Sequence, residues 1–137
     1  WVTSIEKTLH FFSLIGFKEI SRYKNDAGRF TLIFLAAESD FNQALEKKAP
    51  LIELTYNWDE NGYDGGRNFG HLAISVENIY ETCKRLIKNN ISINRPPRDG
   101  RMAFIKTPDN ISIELLQSGH PLQIMEPWSS MPNIGSW

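Results

Sequence analysis

A helical pattern that begins at Ile5 begins again at Ile79, an offset of 74 positions, and this repeat limits the architecture more than any other feature. Residues 3–15, TSIEKTLHFFSLI, place Ile5, Leu9 and Phe12 at helical spacing, with a Thr3/Glu6 capping box and Gly16 at the C-terminal cap position. Residues 77–89, ENIYETCKRLIKN, repeat the design with Ile79, Cys83 and Leu86, the cap pair Asn78/Glu81, and Asn89 and Asn90 at the end. Each helix leads into strand-like runs. In the first half these are residues 17–23, 30–36 and 51–58, with Asn25, Asp26, Ala27 and Gly28 as a hairpin turn. In the second half they are 91–94, 102–106 and 111–116, with Pro108, Asp109 and Asn110 as a turn. One more strand, 70–76, precedes the second helix. Its counterpart before the first would comprise Trp1, Val2 and residues upstream of them.

The expected fold is therefore α+β: tandem strand–helix–three-strand (βαβββ) modules, the first strand truncated. The 137 residues would form one domain, with a half-module at 1–58, a second at 69–117, and a C-terminal tail at 118–137. The charged linker 39–50 reads as a solvated loop, and the Gly-rich stretch 59–68 as a flexible crossing between halves. Asp59, Asn61 and Asp64 lack the spacing and terminal Glu of a calcium loop. The tail, rich in Pro, Trp and Met without periodicity, is expected to run extended over a surface, its own or a partner subunit's.

Composition removes several function classes. A net charge of −1 and a pI near 6.3 leave no electrostatic footprint for nucleic acid or anionic lipid. No apolar run approaches the ~20 residues of a membrane helix. The single cysteine, Cys83, can form no internal disulfide, which fits a reducing, cytoplasmic location. Because the chain starts at Trp1 rather than Met, its natural beginning is expected upstream. Walker loops, Gly-x-Ser-x-Gly elbows, dinucleotide fingerprints and paired-cysteine zinc motifs are all missing from the sequence.

Three polar residues interrupt apolar strands. Glu53 stands between Ile52 and Leu54, Glu114 between Ile113 and Leu115, and His71 in FGHLAISV. Strand alternation puts Glu53 with Leu51 and Thr55, Glu114 with Ser112 and Leu116, and His71 with Phe69, Ala73 and Ser75, all on the less apolar faces. A lone Glu on such a face is usually only solvated, and a lone strand His is more often structural than a ligand. The repeat raises the stakes. Both glutamates fall in the last strand of their half, His71 in the first strand of the second half, and the mate of His71 would lie four residues before Trp1. Two-fold symmetry would then give four ligands, a complete metal set lacking one member in this chain. His10 is expected in solvent, His120 in the tail without a partner, and Cys83 as inert core.

The strings LIELTYNW, GRNFGHLAISV and PDNISIELL resemble glyoxalase I (lactoylglutathione lyase), of the vicinal oxygen chelate superfamily that includes bleomycin-resistance proteins and dioxygenases. The likeness covers nearly the whole chain, and the segment EPWSSMPNIGSW resembles the tail of a bacterial subgroup. It implies one divalent metal held by Glu53, His71, Glu114 and an upstream His or Gln. Nickel or cobalt is typical of short chains, with zinc as the other candidate. It implies a homodimer with active sites shared between subunits, and a glutathione hemithioacetal substrate contacted by Asn57, Arg67 and, more loosely, Arg98. Glu114 would be the catalytic base and Glu53 its pseudo-symmetric partner. One position departs: the family carries an Arg where this chain has Trp1, which cannot pair with a glutathione carboxylate. The implied activity is isomerisation of the methylglyoxal–glutathione hemithioacetal to S-lactoylglutathione. The alternatives are a related epimerase or dioxygenase, or a metal-free small-molecule binder of the same fold.

Overall fold

Helix α1 (Ile5–Leu14) opens at Ser4, extended in backbone, whose side-chain Oγ accepts Lys7 N–H at 3.3 Å. The cap is thus Ser4 rather than the expected Thr3. Helix α3 (Ile79–Lys88) opens at Asn78, which accepts Glu81 N–H at 3.1 Å as its sequence indicates. Both helices have 10 residues. Their starts keep the spacing of the sequence repeat. The buried face of α3 carries Ile79, Cys83 and Leu86 together with Tyr80 and Thr82. That of α1 is rotated from the expected stripe: Thr8, Phe11, Phe12 and Leu14 are buried, while Ile5 and Leu9 are only half-buried. Two phenylalanines bury more apolar area than Ile5 and Leu9 would, and they set the helix roll.

The computed structural model describes residues 1–66 and 68–137, in two units, Trp1–Asp64 and Gly65–Trp137. In the first unit β1 (Phe17–Asn25), β2 (Phe30–Ala37) and β3 (Ile52–Asn57) form an antiparallel sheet in that order. Ile33, Leu35 and Leu54 fill its core. The β1–β2 turn closes through Asn25 Oδ1, which accepts Gly28 N–H at 2.6 Å. Val2 N–H donates to the Thr55 carbonyl at 2.9 Å, so the N-terminal segment runs beside β3. The stretch after β2 is no plain loop: a 3-10 turn (Glu38–Asp40) leads into α2 (Phe41–Leu45), and Ala44 is buried. Its one inward small residue was hidden among charges, which is why the sequence read as solvated.

In the second unit the sheet order is β4-β6-β5, with β4 (Leu72–Val76) parallel to β6 (Ser112–Gln117) and β5 (Met102–Lys106) antiparallel to it. The expected strand at 91–94 reduces to one bridge, Arg95 to Phe104. Pro96 and Pro97 follow immediately and carry no N–H to continue a ladder. The tail runs largely exposed, and it inserts a single residue, Trp128, into the core. Trp128 is 2% exposed and stacks on Tyr80, centroids 5.9 Å apart and planes at 8°. Gly100 (φ 65°) lets it pass, because a Cβ there would meet the Leu122 carbonyl oxygen at 2.1 Å.

Candidate active site

Strand register decides which side chains of the second unit share a face. Across β4/β6, Leu72 lies opposite Ile113 and Ala73 opposite Glu114; across β5/β6, Phe104 lies opposite Glu114. Ile113 and Leu115 point into the core and are fully buried, so Glu114 points the other way. His71 falls just before β4 rather than within it, two residues from Ala73 and on the Glu114 side. Its Nε2 stands 3.1 Å from Glu114 Oε2, and with Nε2 protonated the ring donates to the carboxylate. The Glu114 side chain is 13% exposed and that of His71 42%. The Phe104 ring meets the imidazole edge-on, centroids 5.2 Å apart at 87°. A cavity of ≈ 480 Å³ opens beside His71, which lines it together with Phe104.

This pair fits a divalent cation. Neighbouring octahedral donors with ~2.1 Å bonds to one ion sit about 3.0 Å apart, close to the spacing seen here. An imidazole nitrogen with a carboxylate oxygen suits nickel, cobalt and zinc alike. Glu53 lies in the first unit, exposed on β3 opposite Phe34. Among the described residues no group of three or more His, Cys, Asp or Glu gathers. The ligand set read from the sequence is therefore divided, two members in one unit and one in the other.

The first unit holds a second groove, ≈ 410 Å³, lined by Trp1, Arg29, Asn57, Asp59 and Tyr63 among others. Asn57 Nδ2 donates to the Tyr63 hydroxyl at 3.0 Å, and Trp1 packs on Tyr63 with centroids 5.3 Å apart. Arg29 grips Asp59 through two hydrogen bonds of 2.5 Å, which hold that carboxyl below its ordinary range. Asp59 is thereby committed to a guanidinium, a further reason the stretch is no calcium loop. Arg67 lies outside the described residues. Arg98 Nη1 donates to the Met131 carbonyl at 3.0 Å and to Asn133 Oδ1 at 2.8 Å, so this cation fastens the tail. Burial pushes the Cys83 thiol up to about 12, which makes it inert at neutral pH. His10 and His120 are exposed.

Residues 1–115 match the model of the Glyoxalase/Bleomycin resistance protein/Dioxygenase superfamily. The chain belongs to this superfamily. It is 34% identical over 122 residues to a lactoylglutathione lyase of Neisseria meningitidis, covering 85% of this chain and 84% of that one. To the lactoylglutathione lyase of Salmonella typhimurium it is 31% identical over 123 residues, covering 85% and 87%. Its structure is similar to that of the trypanothione-dependent glyoxalase I of Leishmania major, with a TM-score of 0.75 and 29% identity over 85% of this chain and 80% of that one. The α+β arrangement of this superfamily is the one found here, and a divalent metal is typical of it.

Two residues beside the candidate site escaped sequence reasoning. Phe104 sits in MAFIK, where apolar neighbours on both sides hide which face it serves. Only its pairing with Glu114 reveals that. Trp137 stacks on Phe104, centroids 5.8 Å apart, from an aperiodic tail whose sequence held no sign of which ring it would meet.

Proposed function

We propose that the protein is a metal-dependent lactoylglutathione lyase, isomerising the methylglyoxal–glutathione hemithioacetal to S-lactoylglutathione. The observation that carries this reading is the His71–Glu114 pair at 3.1 Å, whose imidazole lines an open cavity. The superfamily membership and the lyases among the relatives support the substrate. Glu53, His71 and Glu114 would hold the ion, nickel or cobalt before zinc. In a homodimer, Glu53 of one copy would complete the site of the other copy's His71 and Glu114. Exposed Leu51, Phe69 and Leu72 give such a dimer apolar surface to bury.

A bound divalent ion supplies Lewis acidity toward the substrate's two adjacent oxygens. Glu114 takes the proton from the carbon bearing sulfur and returns one to the neighbouring carbon. His71 Nε2, 3.1 Å from Glu114 Oε2, would serve as a neutral imidazole ligand beside that carboxylate. Asn57 and Arg67 would bind the glutathione moiety, with Arg98 as a looser contact. A cytoplasmic location suits a glutathione-dependent reaction.

The test is to load the full-length protein with nickel, cobalt or zinc and follow thioester formation from methylglyoxal and glutathione. Glu114→Gln keeps a neutral oxygen donor but cannot accept the proton, so turnover should fall ~10²–10⁴-fold with the fold intact. Absence of thioester with all three metals overturns the reading.

A further inference from the structure

The tail beyond the family match contributes a wall to the cavity at His71. Residues 1–115 account for the superfamily likeness, yet Trp137 lines the same ≈ 480 Å³ space as Phe69, His71, Phe104, Lys106 and Ile111. The tail is fastened where it approaches. Ile134 N–H donates to the Asn94 carbonyl at 2.9 Å, and Asn94 Nδ2 returns a hydrogen bond to the Ile134 carbonyl at 3.0 Å. Arg98 holds Met131 and Asn133 just upstream, and Trp128 is buried against Tyr80. Gly135, at φ 64°, then turns the chain, and Trp137 lies on Phe104 with planes 27° apart. Phe104 is only 7% exposed, with the His71 ring edge-on to it. The outcome is a row of rings, His71, Phe104 and Trp137, leading away from the Glu114 carboxylate. Trp137 itself remains 42% exposed and offers ring surface to a ligand.

We infer that Trp137 is a specificity-determining residue, and that this aromatic wall receives the carbon substituent of the 2-oxoaldehyde and favours aryl over methyl. The inference rests on the lyase reading of the same site. A cavity of this volume is far larger than a methyl group, and its ring surfaces suit edge-to-face and offset-stacked contact with another aromatic ring. An aryl 2-oxoaldehyde adduct would place its reacting carbons near His71 and Glu114 while its ring contacts Phe104 and Trp137.

Two measurements test it on the full-length protein. In the first, kcat/KM is compared for the glutathione adducts of phenylglyoxal and methylglyoxal. The unaltered enzyme should prefer the phenyl adduct, and Trp137→Ala should lower the phenyl-to-methyl ratio about tenfold, mainly through KM. Trp137→Phe, which keeps a ring, should retain most of the preference, and Trp137→Leu should lose it. A ratio unchanged within about twofold in both Trp137→Ala and Trp137→Leu overturns the inference. In the second, S-benzylglutathione and S-methylglutathione are titrated against metal-free protein by calorimetry, which requires no turnover. Trp137→Ala should weaken S-benzylglutathione about tenfold and S-methylglutathione less. If the unaltered protein turns over neither adduct, the lyase reading fails while the titration still decides the wall. If it binds S-benzylglutathione no better than S-methylglutathione, the wall is refuted whatever the turnover shows.

Discussion

His71 Nε2 lies 3.1 Å from Glu114 Oε2 although the two residues are 43 positions apart in the chain. The parallel pairing of β4 with β6 makes the meeting obligatory: a slip of one residue would turn His71 and Glu114 to opposite faces. The contact thus depends on the same register that buries Ile113 and Leu115 in the core.

If this pair holds a divalent ion, His71→Ala removes a ligand at a half-exposed position whose ring meets Phe104 edge-on. Metal retention should weaken by at least about tenfold, with the far-ultraviolet circular dichroism unchanged. Competition against a chelator, read by elemental analysis, measures this directly. Retention equal to that of the unaltered protein would remove His71 from the ligand set.

Thr8 and Thr82 occupy corresponding positions on α1 and α3, and both are buried. Thr82 Oγ1 accepts from Arg85 Nη2 at 3.4 Å, whereas the buried Thr8 hydroxyl has no hydrogen-bond partner among the described residues. Thr8→Val should therefore stabilise by about 1 kcal/mol, raising Tm by roughly 4 °C. Thr82→Val should bring no such gain. Calorimetric melting of both variants decides it, and a lower Tm for Thr8→Val would contradict the account.

Asp99, just ahead of β5, should contribute to acid sensitivity. Burial alone would raise its carboxyl pKa, but the backbone N–H groups of Arg101 and Met102 and the guanidinium of Arg95 outweigh that and hold it below 3.8. A folded pKa below the unfolded one adds stability that is present above the unfolded value and lost as pH falls through the folded one. Denaturant titrations from pH 5 to pH 2 should show this contribution disappearing below about pH 4. In Asp99→Ala that component of the acid loss should be missing. An unchanged acid profile in the variant would show that another carboxylate is responsible.

Much of this architecture is legible in one dimension because its signals are local. The Asn78/Glu81 cap, the Ile79–Cys83–Leu86 stripe and the Asn25-to-Gly28 turn act within one or two turns of chain, where composition and spacing suffice. The roll of α1 did not follow, since Phe11 wins over Ile5 only when both compete for the same core. The 91–94 strand failed because Pro96 and Pro97 cut its ladder after a single bridge. Helix α2 stayed hidden since a short helix with one inward alanine leaves no periodic trace among charges.

For the site, the sequence alone determined the inventory: two glutamates and a histidine, each misplaced in an apolar strand, in a unit that nearly repeats. Those are properties of composition and spacing, written along the chain. Tertiary structure decided which of them meet. Backbone hydrogen bonding between β4 and β6 brought His71 to Glu114, pairing of β5 with β6 set Phe104 opposite that carboxylate, and the anchored tail delivered Trp137 from 23 residues beyond Glu114. Strand pairing and core packing act between residues far apart in sequence, so no local pattern of side chains could record their outcome.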